Sequence, residues 1–435
     1  MILTQLSTKH LLWRVGVPSM LGIIFQSGMQ LMQASMAMLF DAESAQALAA
    51  TFPIFFSLLA LGRGLSSAAS ALMGHVVLKQ PNQQLSLVVQ VIAFAVFMSF
   101  VWLFCIEIFS VKLLHALHVS EHNIASDQQF LHWMGWGAPA FILGMVMNGL
   151  LIGIGQSKAY QKALMLGLCL EGAWVAWGLS HGFGLVTIPV GFVVVQYSIC
   201  IWMFSQIRLY FSAEKKVQWR GFWWENIRLS WPVFFAYLLV TLELALLEHL
   251  IHDYGTEATL NGFFLGQRME VIVFTAIIGL GNALIGIIGQ HHAIKNYEQI
   301  RHLFSKFIQF SLLFVVLCMV LIIGIAVPII KSYPLTIAMK TTLDYAQYMV
   351  PGLMIYPFMM LTMSAFQGVK KPEIVTIVEV IRLTVVRFLI TMGLASSLGL
   401  SGIWLSTPVC NMVGAVVFLM LWQRYCNFRS RQIAS

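Results

Sequence analysis

With 435 residues, a mean hydropathy of +0.83 and 10% charged against 59% hydrophobic residues, the chain falls outside the soluble globular classes, whose members carry roughly 25% charge. The net charge of +8 would suggest nucleic acid as a partner for a soluble protein. In a chain this apolar, the distribution of the basic residues is more informative than their sum, and the expected partner is the lipid bilayer, with no nucleic acid.

Apolar runs long enough to cross about 30 Å of hydrocarbon recur along the whole chain. The first, Leu11 to Leu39, opens with Arg14-Val-Gly-Val-Pro18 and carries Gln26, Gln30 and Gln33 at i, i+4 and i+7, so one helical face shows three amides. Unpaired amides are costly against lipid, so that face is expected to bond a neighbouring helix or to line a wet cleft. The second, Ala47 to Leu78, holds Arg63 between two glycines, at the start of a strip of small residues from Gly62 to Gly74 that lets helices approach closely. Spans follow at Leu85 to Phe109, Ile124 to Ile154, Tyr160 to Ser180 and Leu185 to Phe211. The fifth span carries Glu171 at a depth similar to that of Arg63, and the two are predicted to pair or to share a hydrogen-bond network.

After a polar stretch, the seventh span, Glu225 to His252, opens with Arg228-Leu-Ser-Trp-Pro232 and contains Glu243. The eighth, Ala258 to Gln290, carries Arg268, Glu270 and a second small-residue strip from Gly279 to Gly289. His302 to Ile330, Leu343 to Gln367, Ile374 to Ser397 and Ile403 to Arg424 complete twelve predicted spans. In the eleventh, Glu379 and Arg382 stand at i, i+3, the spacing of a structural ion pair.

The Arg-xxx-Pro openings, the small-residue strips, and the Pro139…Gly155…Lys158 and Pro351…Gly368…Lys370 series recur in the same order in the two halves. Such repetition is the sequence sign of a duplicated bundle. Six spans per half make the repeats parallel, as in secondary transporters that hold substrate between two lobes. The predicted fold is an all-α integral membrane protein with twelve transmembrane helices in two parallel six-helix lobes, residues 1–212 and 225–435, joined by a linker over 213–224. Most of the 25 basic residues fall at the termini and in alternate loops, whereas the opposite loops hold only Lys112, Lys331 and Lys340. Both termini are therefore expected on the cytoplasmic side of a bacterial inner membrane. No short apolar segment with a cleavage site precedes the first span, which is read as retained.

A charge at mid-membrane costs about 2.5 to 3.5 kcal/mol on insertion scales and usually faces a cavity or a partner, which singles out Glu171, Glu243, Glu270 and Glu379. Glu243 and Glu270 have no evident basic partner in sequence. An unpaired carboxylate in dry surroundings is suited to taking up a proton, the chemistry of a coupling site, although a fixed interhelical hydrogen bond is the alternative. Glu107 and Glu248, nearer span ends, are read as solvated, as are the histidines in loops and at span ends, His291 and His292 among them. The six cysteines lie singly and form no CxxC, so neither zinc nor a disulfide framework is expected. His122-Asn-Ile-Ala-Ser-Asp127 matches an HxxxxD acyltransferase pattern without any companion motif, and no enzymatic activity is expected.

Across essentially its whole length the chain resembles the multidrug and toxic compound extrusion (MATE) family, in its DinF-like bacterial branch. The resemblance rests on Ala47-Leu-Ala-Ala-Thr-Phe-Pro-Ile-Phe-Phe56 leading into Gly62-x-Gly-Leu-x-x-x-Ala-Ser-Ala-Leu72, and on Gly255-Thr-Glu-Ala258 leading to Arg268-Met-Glu270. Gly279-x-Gly-Asn-Ala-Leu284 with Gly289-Gln290, and Gly402-Ile-Trp-Leu405 after Ile381-Arg-Leu383, complete it. It implies a two-lobe exporter with a central cleft, no cofactor, coupling to inward H+ or Na+, and a small organic substrate, bulky and often cationic. The protein is expected to act as a monomer.

The chain departs from the family pattern where that pattern titrates. The family's first-helix aspartate aligns with Gln33, and its fifth-helix Asn-x-x-x-Asp pair aligns with Glu171 and Val175. A seventh-helix glutamate of another branch falls near Val240, one turn before Glu243. Glutamine does not titrate, so coupling is predicted to move to Glu243 or Glu270, with Glu171. Gln26, Gln30, Gln33 and Arg63 complete the expected cleft. The alternative function is flipping of a lipid-linked or polyprenyl-linked precursor, which favours a cleft lined by arginine, from Arg63, Arg268, Arg382 and Arg387.

Overall fold

The computed structural model describes residues 2–40, 42–117, 119, 121–210, 221–332 and 336–434. Among these residues there are helices and short connections and no strand. The first half contributes α1 (Thr8–Leu39), α2 (Ala42–Lys79), α3 (Gln84–Ala116), α4 (Ile124–Gly153), α5 (Lys158–Ser180) and α6 (Thr187–Tyr210). The second contributes α7 (Phe222–Tyr254), α8 (Glu257–Ala293), α9 (Tyr297–Ser332), α10 (Ile337–Gly368), α11 (372–398) and α12 (Leu400–Ala434). Eleven of these are long and apolar enough to cross a membrane. The exception, α11, is helical as predicted, but Glu379, Arg382 and Arg387 dilute its apolar character, and a π-helical stretch, Ile381–Val386, interrupts it. The predicted linker lies largely outside the described residues; the chain resumes at Gly221, whose φ of 80° starts α7.

Helix packing carries the duplication. Within the first half α1 packs on α5, α2 on α4, α3 on α4, α4 on α6 and α5 on α6. Each pair has a counterpart six helices later: α7 on α11, α8 on α10, α9 on α10, α10 on α12 and α11 on α12. The contacts between halves obey the same rule. The α1–α8 contact mirrors α7–α2, and α2 meets α8 on the pseudo-twofold axis. Two apolar cores result, one built mainly from residues 23 to 229 and the other from 247 to 426, the latter also taking in Leu3, Leu11, Leu12, Val15 and Met20.

Lipid supplies no hydrophobic drive between helices, so tight contacts depend on small residues. Gly64 on α2 lies against the backbone of α7, where a Cβ would come within 2.6 Å of the Ser230 carbonyl oxygen. Gly279 on α8 lies in the same way against α1, where a Cβ would reach 2.5 Å from the Met20 Cα. The small-residue strips are therefore the surfaces on which the halves meet.

Candidate functional site

Four hydrogen bonds among the described residues cross between the halves, all at the end of the spans that carries the chain termini. Gln290, fully buried at the end of α8, accepts from the Leu3 backbone N–H at 2.8 Å and donates to the Gly153 carbonyl at 2.8 Å. Ser67 donates to Gln367 at 2.7 Å. His75 on α2 meets His292 on α8, Nε2 to Nδ1, at 2.8 Å. Its own Nδ1 lies 2.9 Å from the Ala71 carbonyl, which fixes that nitrogen as the donor. His75 Nε2 therefore accepts from His292, whose Nε2 in turn accepts from the Tyr425 hydroxyl at 3.2 Å. His291 is buried with neither ring nitrogen bonded. His291 and His292, expected to be solvated, are instead part of this closure, because α8 continues to Ala293 and packs its last turn between the halves.

The intramembrane carboxylates meet four different environments. Glu379 and Arg382 form a bidentate pair, with Arg382 Nε 3.0 Å and Nη2 2.6 Å from the two oxygens, and Arg382 Nη1 donates to Asn411 at 2.8 Å. Glu243, for which sequence showed no partner, has one: Arg387 Nε lies 3.0 Å from its Oε1, a close charge contact without an aligned hydrogen bond, and Arg387 Nη2 donates to Thr407 at 2.7 Å. The partner sits on another helix 144 positions away, where no sequence spacing reveals it.

Glu270 on α8 accepts from the hydroxyls of both Tyr345 and Tyr356 on α10. These tyrosines stand about three helical turns apart. A 3₁₀ turn, Leu353–Ile355, following Pro351 bends α10 between them and lets both rings reach one carboxylate. Sequence reasoning passed over them; two phenols flanking Pro351-Gly352 in an apolar span were the available signal.

Glu171, fully buried on α5, accepts from the Gln33 side-chain amide through one oxygen, and its other oxygen has no partner. The predicted Arg63–Glu171 pair is thus not formed: Glu171 is met by Gln33, projecting from α1, and its free oxygen is not reached by Arg63. Gln33 and Glu171 share this bond, whereas Gln26 is buried with both amide atoms unbonded and Gln30 is partly exposed. Arg63 makes no ion pair or hydrogen bond among the described residues; Arg268, partly exposed, has no ion pair there either.

His122 is exposed, Asp127 is buried at the start of α4, and no hydrogen bond joins them, so the HxxxxD pattern assembles no catalytic pair. No cluster of His, Cys, Asp or Glu able to hold a metal occurs among the described residues, and the six cysteines are free.

The MatE family model matches residues 18–177 and 232–393, both halves of this arrangement. The chain belongs to the MatE family. It is a multi-pass membrane protein of a transporter family. Among solved structures it is similar to a MATE protein in complex with MaD3S, at 18% identity and a TM-score of 0.90, covering 99% of this chain and 98% of that one. It is also similar to a MOP-superfamily transporter from Pyrococcus furiosus described as having a binding pocket of reverse polarity, at 17% identity, a TM-score of 0.89 and 98% coverage of each chain. An outward-facing multidrug resistance MATE transporter matches at 18% identity, a TM-score of 0.88 and 98% coverage of each. At these identities the likeness is one of fold. No match was found among curated proteins. Against the MatE frame, Tyr345, Tyr356, Gln290 and the His75–His292 contact are additions that the sequence reading did not include.

Proposed function

We propose that this MatE protein is an ion-coupled antiporter that exports organic solutes by alternating access, with H+ as the coupling ion and with Glu270 and Glu171 as the groups that carry it. In this reading it resides in a bacterial inner membrane as a monomer with cytoplasmic termini. The closed end is then the cytoplasmic gate, and solute leaves toward the outside.

The observation that carries the reading is the hydrogen-bond valence around Glu270. In its ionised form Glu270 is acceptor-only, and both phenols then donate to it. A proton arriving on either oxygen converts an acceptor into a donor, and one tyrosine must then turn its own hydrogen elsewhere. The change is delivered to α10 at the bend and to α8, whose length continues about 13 Å from Glu270 to Gly279, where it meets α1. Protonation and the packing between halves are in this way joined through one rigid helix. Glu171 offers a second landing place, the oxygen without a partner, where a proton neutralises a buried carboxylate that is met by one amide and no counter-charge. Glu243 is set aside because Arg387 already neutralises it.

Reconstitution into proteoliposomes, with H+ and Na+ gradients imposed separately and a panel of organic solutes of differing charge, tests the proposal. Solute movement driven by the pH gradient alone is expected. Movement driven only by Na+ would remove H+ as the ion, and solute movement indifferent to both gradients would remove coupling. Flipping of a polyprenyl-linked precursor is the second reading. It is favoured by two arginines, Arg63 and Arg268, that have no carboxylate partner among the described residues.

A further inference from the structure

Arg63 is 7% exposed, and its Nη1 is buried without any acceptor. A buried guanidinium normally has its carboxylate, because an uncompensated ion out of water costs several kcal/mol. Arg382 and Arg387 have theirs, on Glu379 and Glu243. Arg63 does not: Glu171 is taken by Gln33, and both oxygens of Glu379 are taken by Arg382.

The surroundings of Arg63 supply neutral hydroxyl and amide groups rather than a carboxylate. Tyr160 of α5 and Tyr237 of α7 lie within electrostatic reach of Arg63, and no hydrogen bond is formed by either hydroxyl among the described residues. Gly22 of α1 lies against Tyr160, and one turn further along α1 Gln26 points a fully unbonded amide from a residue only 5% exposed. Gly64, the next residue after Arg63, lies against Ser230 and Phe234 of α7, one turn before Tyr237. Arg63 and the two phenols thus lie in one neighbourhood, with Gln26 one turn along α1 from the Gly22–Tyr160 contact; the four residues come from α1, α2, α5 and α7, that is, from both halves.

We infer that Arg63, with Gln26, Tyr160 and Tyr237, forms an oxyanion-binding subsite between the halves, and that the molecule this protein handles carries a carboxylate or phosphate group that docks there. The planar fork of arginine matches a carboxylate or phosphate in a bidentate manner, and the phenols and amide supply further donors. This deepens the exporter reading and reverses the cationic substrate class that the family resemblance implies. The inference rests on that reading only in taking the docked anion to be the transported molecule.

The test uses the full chain in nanodiscs and two dyes of similar size and opposite charge, carboxyfluorescein and rhodamine 6G. Saturable carboxyfluorescein binding by the wild type is expected, weakened about tenfold or more by Arg63→Gln, the loss of one charge-assisted contact. Weakening by Arg63→Lys should be smaller, because the charge stays and the fork is lost, and rhodamine 6G binding should not weaken in either variant. If Arg63→Gln does not give monodisperse protein, Tyr237→Phe and Gln26→Leu take its place, each expected to weaken carboxyfluorescein about threefold. Unchanged affinity in all folded variants, or no saturable carboxyfluorescein binding by the wild type, overturns the subsite.

Competition identifies the source of the anion. Displacement by a polyprenyl phosphate but not by phenyl phosphate assigns it to a lipid headgroup, the converse assigns it to a soluble solute, and displacement by neither overturns the oxyanion reading. Transport separates this inference from the proposed function. Gradient-driven export of rhodamine 6G together with Arg63-independent dye binding sinks the subsite alone. Arg63-dependent binding without any gradient-driven transport sinks the exporter alone.

Discussion

Glu243 and Glu379 each face an arginine, whereas Glu171 faces an amide and Glu270 two phenols. The difference predicts unequal responses to the same substitution. Glu243→Gln leaves Arg387, 0% exposed, with a hydroxyl from Thr407 in place of a counter-charge, and should destabilise the protein by about 3 kcal/mol or more. Glu270→Gln keeps an acceptor for one tyrosine and gains an N–H for the oxygen of the other, so the cost should stay below about 1 kcal/mol. Thermal unfolding in detergent compares the two directly. A large drop for Glu270→Gln with none for Glu243→Gln would contradict the assignment of structural and coupling roles. Glu379 and Arg382 were legible in sequence because i, i+3 neighbours on one helix must meet. Arg387 with Glu243 and Glu270 with Tyr345 and Tyr356 were not, because partners on different helices leave no spacing to read.

Among the elements, α8 does most to connect chemistry with movement. It holds Glu270 against α10, touches α1 at Gly279 and ends in Gln290 and His292 at the closed end. Replacing Gly64 or Gly279 by leucine forces a side chain into backbone of the opposite half and should push the equilibrium away from the closed gate. With Ser67→Cys introduced as a reporter, labelling by an impermeant maleimide applied from the terminus-bearing side should rise several-fold in either leucine variant. Unaltered labelling would mean that these contacts do not hold the gate. His75→Ala removes a hydrogen bond that crosses between the halves and should act in the same direction but more weakly, since one such bond is worth about 1 kcal/mol. The small-residue strips predicted these contact surfaces from sequence. The histidine contact escaped notice because helix α8 runs further than the expected end of its span at Gln290, burying His291 and half-burying His292.

At the scale of the molecule, recurring landmarks in the sequence were enough to predict two parallel six-helix lobes, since each landmark marks where a helix starts, bends or packs closely. The six-helix offset in helix packing follows the same duplication. The proposed function rests on what the copies do not share: among the described residues, the first half has no carboxylate held by two phenols to match Glu270, and the second half has no unpaired buried arginine to match Arg63. If the halves separate at the terminus-bearing end during turnover, a disulfide across it must stop transport. Ser67 and Gln367 side chains touch at 2.7 Å, so the double variant Ser67→Cys, Gln367→Cys, made without the native cysteines and bridged by a short bifunctional thiosulfonate that spans the missing length of the Gln367 side chain, should lose transport and regain it on reduction.

Coupling through Glu270 and Glu171 is the central claim, and solute accumulation against its gradient in proteoliposomes tests it most directly. With an imposed pH gradient, the double variant Glu171→Gln, Glu270→Gln should retain solute exchange at zero gradient but lose pH-driven accumulation. A double variant that accumulates solute to the wild-type level under the same gradient would contradict the account.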